Sequence, residues 1–251
     1  MPQQPTKRFS ARADNYAKFR PGYPHTVIEY LAAECGLEPA VPVADVGSGT
    51  GLLAQMLLEH GCTVYGIEPN REMREAGEAA LAGLENFISL DGSAEDTGLP
   101  DASVGLIVAG QAFHWFEPAR TREEFRRILR ETGRVALVWN YRRADASEFL
   151  RGYEALLHRY CPEYPRLLDP ERHRQKVVAF FSGGALREFS LDNRQRLDYP
   201  SFEGRHLSQS YVPLEGEPMM QALRVLYDTH QRAGAVTLDY ETRLYCGSFS
   251  G

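Results

Sequence analysis

Asp45-Val46-Gly47-Ser48-Gly49-Thr50-Gly51 is the stretch that decides the fold of this 251-residue chain. Upstream of it, the short apolar run Val41 to Val46 predicts a buried strand. Downstream, Leu52 to His60 (LLAQMLLEH) predicts a helix, with Gly61 placed to end it. The glycines therefore fill a strand-to-helix turn. At such a turn a ligand can lie against bare backbone, because glycine has no Cβ to block the approach. The first N–H groups of the following helix point at whatever polar or negative group lodges there. In an open α/β sheet, ligands bind outside the carboxyl ends of the strands, near the point where strand order reverses.

The same pattern repeats on either side. His25 to Leu37 carries apolar residues at 27, 28, 31 and 35, a helical spacing that Gly36 can stop. Cys62–Glu68 predicts a second strand and Asn70 to about Leu81 a helix, with Asn70 as N-cap. Phe87–Leu90 and Ser103–Ala109 predict two more strands. Pro118 to Arg130 predicts a helix ended by Gly133, and Arg134–Asn140 a fifth strand. Strands alternating with helices in this way indicate βαβ units. The expected fold is α/β, a doubly wound, Rossmann-like, mostly parallel sheet. Beyond residue 144 the rhythm changes. Residues 145–160 and 217–233 predict helices, Leu186–Tyr199 one long strand or a strand pair, and Val236–Tyr245 a late strand. Residues 161–185, with three prolines and Gly183-Gly184, give only a weak pattern. The expected organisation is a cap segment and first helix over 1–37, a ligand-binding core over 38–144, and a part over 145–251 that completes the sheet and adds helical cover. The N-terminal segment is itself aromatic and basic (Phe9, Arg12, Tyr16, Phe19, Arg20, Tyr23) and closes with Pro21 and Pro24.

Composition narrows the function. The chain is 43% apolar, 11% aromatic and 25% charged, the proportions of a globular protein with a sizeable core. Lys and Arg number 28 against 34 Asp and Glu, a formal charge of −6. With no polybasic run, nothing marks a nucleic-acid partner. No apolar run reaches the length of a membrane span, and MPQQPTKRFS lacks the apolar stretch of a signal peptide. The four cysteines, at 35, 62, 161 and 246, form no CxxC pair, so neither a zinc knuckle nor a disulfide framework is indicated. A reducing cytoplasmic location is expected.

Glycine turns of this kind also serve other nucleotides. A P-loop needs Lys and then Ser or Thr after its last glycine, whereas Leu52-Leu53 follow here. A dinucleotide fingerprint G-x-G-x-x-G places its third glycine at Leu52 or at Ala54. The latter is permitted by the G/A variant, so a nicotinamide-dependent oxidoreductase survives the glycine test. Glu68 closes the second strand, 17 positions beyond Gly51, where a carboxylate can accept both hydroxyls of a ribose. It argues for a nucleoside more than for a particular one.

Taken together, DVGSGTG at 45–51, GIEPN at 66–70, DGSAE at 91–95 and GQAFHWF at 110–116 resemble the class I S-adenosylmethionine-dependent methyltransferases, in their small-molecule, methyltransferase type 11-like branch. Tyr16 to Pro24 is similar to the segment that precedes the core in relatives of that branch. The resemblance covers residues 9 to about 141. It implies a seven-stranded sheet capped by the N-terminal segment and C-terminal insertions, S-adenosyl-L-methionine as cofactor and S-adenosyl-L-homocysteine as product. It also implies that Asp45, Gly47 and Gly49 hold the methionyl end, with Ser48, Thr50 and Gly51 lining the turn. Glu68 would take the ribose hydroxyls, with Pro69, Asn70 and Met73 bordering the adenine. Ser93, Ala94 and Glu95 would contact the adenine from the other side, and Gln111 would face the methionine. Tyr16 and Arg20 would reach the cofactor carboxylate, for which an arginine fork is suited.

The acceptor expected from this reading is a small organic molecule methylated on a hydroxyl or carboxylate oxygen. His114, just after strand four, is the candidate base or orienting group, since imidazole can take a proton near neutral pH. A carboxylate acceptor would need no base, and Arg20, Arg142 or Arg143 could orient it. Tyr23, Phe113, Trp115, Trp139, Tyr141 and Arg142 are the expected pocket walls, although core packing explains the tryptophans equally well. The remaining histidines have no partners at ligand spacing, so no metal is expected. Monomer and homodimer stay open. So does a chain that binds the cofactor without catalysis.

Overall fold

In the computed structural model, residues 18–164, 170–213 and 216–249 are described. Among them the elements run α1 (Thr26–Cys35), β1 (Val43–Val46), α2 (Leu52–Glu59), β2 (Val64–Ile67), α3 (Arg71–Leu81), β3 (Phe87–Leu90) and β4 (Val104–Gly110). A 3-10 turn (Phe113–Trp115) follows, then α4 (Pro118–Ile128), β5 (Leu129–Arg142), α5 (Glu148–Tyr160), α6 (Pro170–Phe180), β6 (Leu186–Leu197), α7 (Tyr199–Leu207), α8 (Glu217–His230) and β7 (Val236–Gly247). The seven strands form one sheet in the order β3-β2-β1-β4-β5-β7-β6. The first five are parallel, and β7 is inserted antiparallel between β5 and β6. Strand order reverses between β1 and β4, so the crevice between their carboxyl ends is where an open sheet receives a ligand.

The βαβ units form where the sequence places them, for local reasons. All four residues of β1 are buried, as a strand covered by helices on both faces requires. α2 turns Leu53, Ala54, Leu57 and Leu58 onto the sheet, and each buried leucine stabilises by roughly 2 kcal/mol. Asn70 caps α3, its side chain accepting from Met73 N–H at 2.9 Å. Gly36 ends α1 in the left-handed conformation.

Elsewhere the structure departs from the sequence-based expectations. α4 stops at Ile128, not near Gly133. The β4–β5 ladder jumps from Val104–Leu129 to Leu106–Arg134, so residues 130–133 bulge out and Gly133 lies in that bulge. The weak segment 161–185 contains α6. β6 is one long strand, Leu186–Leu197, rather than a pair, and α7 begins at Tyr199 after the N-cap Asp198. Cys35 and Cys246, which suggested no disulfide framework, are joined as a disulfide with Cα atoms 6.0 Å apart, because α1 packs its C-terminal end against β7. Among the described residues no helix is long and apolar enough to cross a membrane.

A separate apolar cluster builds the cover over the carboxyl edge. Phe149, Tyr153 and Leu157 of α5 meet Phe202 of α7, Leu223 and Tyr227 of α8, and Leu238 and Tyr240 of β7. Residues 18–24 are strapped to the same side: Gln195 donates to Phe19 O, and Asn193 and Asn140 both donate to Gly22 O.

Candidate active site

Two cavities open along the carboxyl edge, and they share Gln111 and Trp115. The first, about 220 Å³, lies at the strand-order reversal, bounded by the glycine loop after β1, the end of β2, the start of α3, the turn after β3 and the end of β4. Gly47 and Gly49 line it with backbone alone. Both have positive φ, 70° and 57°. A Cβ on Gly47 would stand 2.6 Å from Ala112 Cβ, so a side chain there is excluded twice, by conformation and by space.

Glu68 follows β2 directly and is buried. Its Oε2 accepts from Gly49 N–H at 3.0 Å and its Oε1 from Asn70 N–H at 2.8 Å. Burial raises its pKa, while those two N–H groups and nearby Arg74 pull it back. A carboxylate offers about four acceptor positions, so Glu68 pins the loop and keeps capacity for a ligand's hydroxyls. Pro69, Asn70, Met73, Ser93, Ala94, Glu95 and Gln111 line the same cavity. The Glu95 carboxylate itself turns away, accepting from Glu117 N–H at 2.8 Å and from the Thr121 hydroxyl. Gln111 sits in the left-handed region at φ 56°, uncommon for a residue with a side chain, and its amide donates to Asn140 O.

Behind the loop, a small cavity of about 30 Å³ is lined by Asp45, Ser48, Thr50 and Tyr23. Asp45 is the penultimate residue of β1, is 1% exposed, and its Oδ2 has no hydrogen-bond partner among the described residues. Burial pushes its pKa up to about 7, against the Ala54 N–H and helped by the charge on Glu68. A buried carboxylate oxygen with no donor is the kind of group a cationic or amino ligand would complete. Gly51 lines neither of these two cavities; it is the N-cap residue of α2, at φ 83°.

The second cavity, about 100 Å³, is lined by residues of β5, β7 and α7 and of the segments beside them. Trp139 and Arg142 of β5, Arg205 of α7 and Tyr240 of β7 face it, with His114 and Arg20. The His114 ring is stacked on His173, with centroids 5.8 Å apart, and tilted against Trp115 at 4.7 Å; its Nδ1 is buried without a partner. Burial first, then the positive charges of His173, Lys176 and Arg20, lower its pKa to about 3.

Several expected residues take other positions. Arg20 lines the second cavity, not the glycine-loop cavity, and donates to Ser208 O at 3.2 Å. Tyr23 faces the small cavity behind the loop. Phe113 is core, packed on Phe116, Trp139 and Phe180. Tyr141 is also buried, its hydroxyl 3.4 Å from His173 Nδ1 under the Arg243 guanidinium. Tyr16 lies outside the described residues. Arg205, Tyr211, Tyr240 and His173 line the second cavity without having been singled out from the sequence. Arg205 falls in a stretch to which the sequence assigned no element, and no local signal distinguishes it. Among the described residues no group of three His, Cys, Asp or Glu is placed to hold a metal.

Residues 44–137 match the family model for the methyltransferase domain. An uncharacterised methyltransferase of Mycobacterium tuberculosis is 39% identical over 134 residues, 53% of this chain and 52% of that protein. The chain thus spans about half the length of the curated relatives it matches. Among solved structures, a candidate type II methyltransferase from Anaeromyxobacter dehalogenans superposes with a TM-score of 0.66 at 26% identity, covering 92% of this chain and 99% of that one. A geranyl diphosphate methyltransferase solved with S-adenosylmethionine shares the fold, at TM-score 0.50 and 16% identity over 89% of this chain and 84% of that one. Over residues 44–137 the chain is thus similar to methyltransferases, and the residues of the glycine-loop cavity fit S-adenosylmethionine as the cofactor. These likenesses favour the methyltransferase reading over the dinucleotide one.

Proposed function

We propose that the protein transfers a methyl group to an oxygen of a small organic acceptor, a hydroxyl or a carboxylate. The observation that carries this is the shared wall: Gln111 and Trp115 border both the glycine-loop cavity and the second cavity, so ligands in the two would meet there. The residues present fit the cofactor. Asp45 Oδ2 awaits a cationic donor, Gly47 and Gly49 leave the backbone bare, and Glu68 has acceptor capacity to spare for a ribose. In this reading Asp45, Gly47, Ser48, Gly49, Thr50 and Gln111 hold the methionyl end. Pro69, Asn70, Met73, Ser93, Ala94 and Glu95 border the adenine. Residues 38–144 then form the cofactor core and 145–251 the acceptor cover.

When bound, the cofactor supplies a methyl already activated by its sulfonium, so the protein need only position the acceptor and exclude water. Gln111, held in its unusual backbone conformation by the Asn140 carbonyl and the β4–β5 ladder, fixes the meeting point. Trp115 and Trp139 give the acceptor side apolar walls. His114, with its pKa near 3, is neutral at physiological pH and too weakly basic to serve well as a proton acceptor. Its role in this reading is to orient, which favours an acceptor oxygen that is already ionised.

The test is calorimetry with S-adenosylhomocysteine. Wild type is expected to bind it, and Glu68→Ala to bind about tenfold or more weakly, the loss of charge-assisted hydrogen bonds to two hydroxyls. Glu68→Gln should fall between them. Unchanged affinity in Glu68→Ala would defeat the placement of the ribose.

A further inference from the structure

Besides His114 Nδ1, four residues that line the second cavity carry buried polar atoms without partners, and those atoms share one chemistry. Arg205 leaves both Nε and Nη1 unbonded, Arg142 leaves Nε, Trp139 leaves Nε1 and Tyr240 leaves its hydroxyl, and all four residues line that cavity. Every one of these groups can donate a hydrogen bond, and four of the five atoms can do nothing else. Arg205 is 5% exposed, with Arg142 and the hydroxyls of Tyr240, Tyr153 and Tyr211 near it. Arg142 is answered by Glu154, at 2.8 Å, but that carboxylate is also held by the Tyr164 hydroxyl and does not reach the cavity. Among the described residues, three guanidinium groups, Arg20, Arg142 and Arg205, line this space and no carboxylate does. An uncompensated buried guanidinium is costly in a native fold. A cavity that concentrates unsatisfied donors and positive charge is complementary to an anion rich in acceptors.

We propose that the second cavity binds the methyl acceptor through a carboxylate seated on the Arg205 guanidinium, so that the acceptor is a small carboxylic acid taken up as its anion. This rests on the methyltransferase reading of the two cavities. Arg142 Nε–H, the Tyr240 hydroxyl and Trp139 Nε1–H supply further donors, and the fork of Arg205 suits a planar carboxylate. The volume, about 100 Å³, admits a compact acid rather than a polymer.

The experiment uses the full chain saturated with S-adenosylhomocysteine. Acetate, succinate and benzoate are compared with acetamide, succinamide and benzamide, and with inorganic phosphate, at constant ionic strength, by thermal shift and calorimetry. At least one acid is expected to raise Tm and bind, while its amide does not. Arg205→Met should weaken that acid at least tenfold, leave S-adenosylhomocysteine affinity within twofold, and raise the unliganded Tm by ~2–4 °C, because an unpaired buried charge has been removed. Arg205→Lys, keeping the charge without the fork, should bind the acid with intermediate affinity and serves as the probe if the methionine variant folds poorly. Acids that bind no better than amides, an Arg205 variant with unchanged acid affinity, or phosphate binding more tightly than every acid would each overturn the proposal. Failure of wild type to bind S-adenosylhomocysteine is a separate result, and it would remove the methyltransferase reading itself.

Discussion

At the scale of single residues, the two carboxylates of the glycine-loop region are tuned differently. Glu68 is buried but receives two backbone N–H groups, whereas Asp45 is buried with one oxygen unanswered. The pKa of Asp45 rises from 3.8 to about 7 through burial, so between those values the folded state binds a proton that the unfolded chain has released. Stability contributed at this position is therefore lost as pH climbs from about 4 to 7. The ceiling of the effect is about 4 kcal/mol, at 1.36 kcal/mol per pH unit. Unliganded Asp45→Asn is expected to be more stable than wild type at pH 8 and close to it at pH 4, read from urea unfolding midpoints at the two pH values. A variant with the same pH dependence as wild type would show that Asp45 is solvated or partnered in solution. Saturating S-adenosylhomocysteine should flatten the wild-type slope, because a ligand donor then answers the ionised oxygen.

The β1–α2 connection carries the corresponding argument for an element. Its amides are oriented from both ends: Gly47 and Ser48 donate to Ile67 O at 2.8 and 3.1 Å, and Gly49 donates to Glu68. Gly47→Ala would force a side chain into the left-handed region and against Ala112, the residue that carries Gln111 into the 3-10 turn. The expected outcome is a loss of ~1–3 kcal/mol in unfolding free energy together with at least tenfold weaker S-adenosylhomocysteine binding. Denaturant unfolding and calorimetry on the same preparation check it, and a stable variant with full affinity would mean the turn has room to spare. Elements of this kind were legible in the sequence because each declares itself within about ten residues: an apolar strand, a glycine turn, Asn70 as a cap, Gly36 as a stop. α6 and α7 declare little. α6 follows a proline-rich stretch, and YPSFEGRHL carries both Pro200 and Gly204, so tertiary packing on Phe149 and Tyr227 decides the helix. The residues that line the glycine-loop cavity were readable for the same reason, since they come from successive strand ends. The acceptor side was not, because Trp139, Arg205 and Tyr240 meet only after β7 has inserted between β5 and β6. Cys35 and Cys246, 211 residues apart, meet through the same insertion.

Over the whole molecule, the cover on the acceptor cavity is assembled from both ends of the chain. Residues 18–24 cross from β5 to α7, tied by Gln195 to Phe19 O at 2.9 Å, by Asn193 to Gly22 O at 2.9 Å and by Arg20 to Ser208 O at 3.2 Å. The Phe19 ring seats where Gly204 has no side chain, on the helix that presents Arg205 to the cavity. Strap and α7 should therefore move together, and loosening one should be felt by the other. Phe19→Ala is expected to cost about 1–2 kcal/mol of stability, the lower end for a large aromatic because the ring is only half-buried. It should also weaken binding of the carboxylate probe severalfold while S-adenosylhomocysteine affinity changes less than twofold. Parallel isotherms for the two ligands separate the possible outcomes. If the nucleoside falls in step with the acid, the strap serves the cofactor, as the resemblance at Tyr16 and Arg20 implies. If neither falls, the strap and the Arg205 helix are mechanically independent, and the acceptor cavity must be held by α5, α8 and β7 alone.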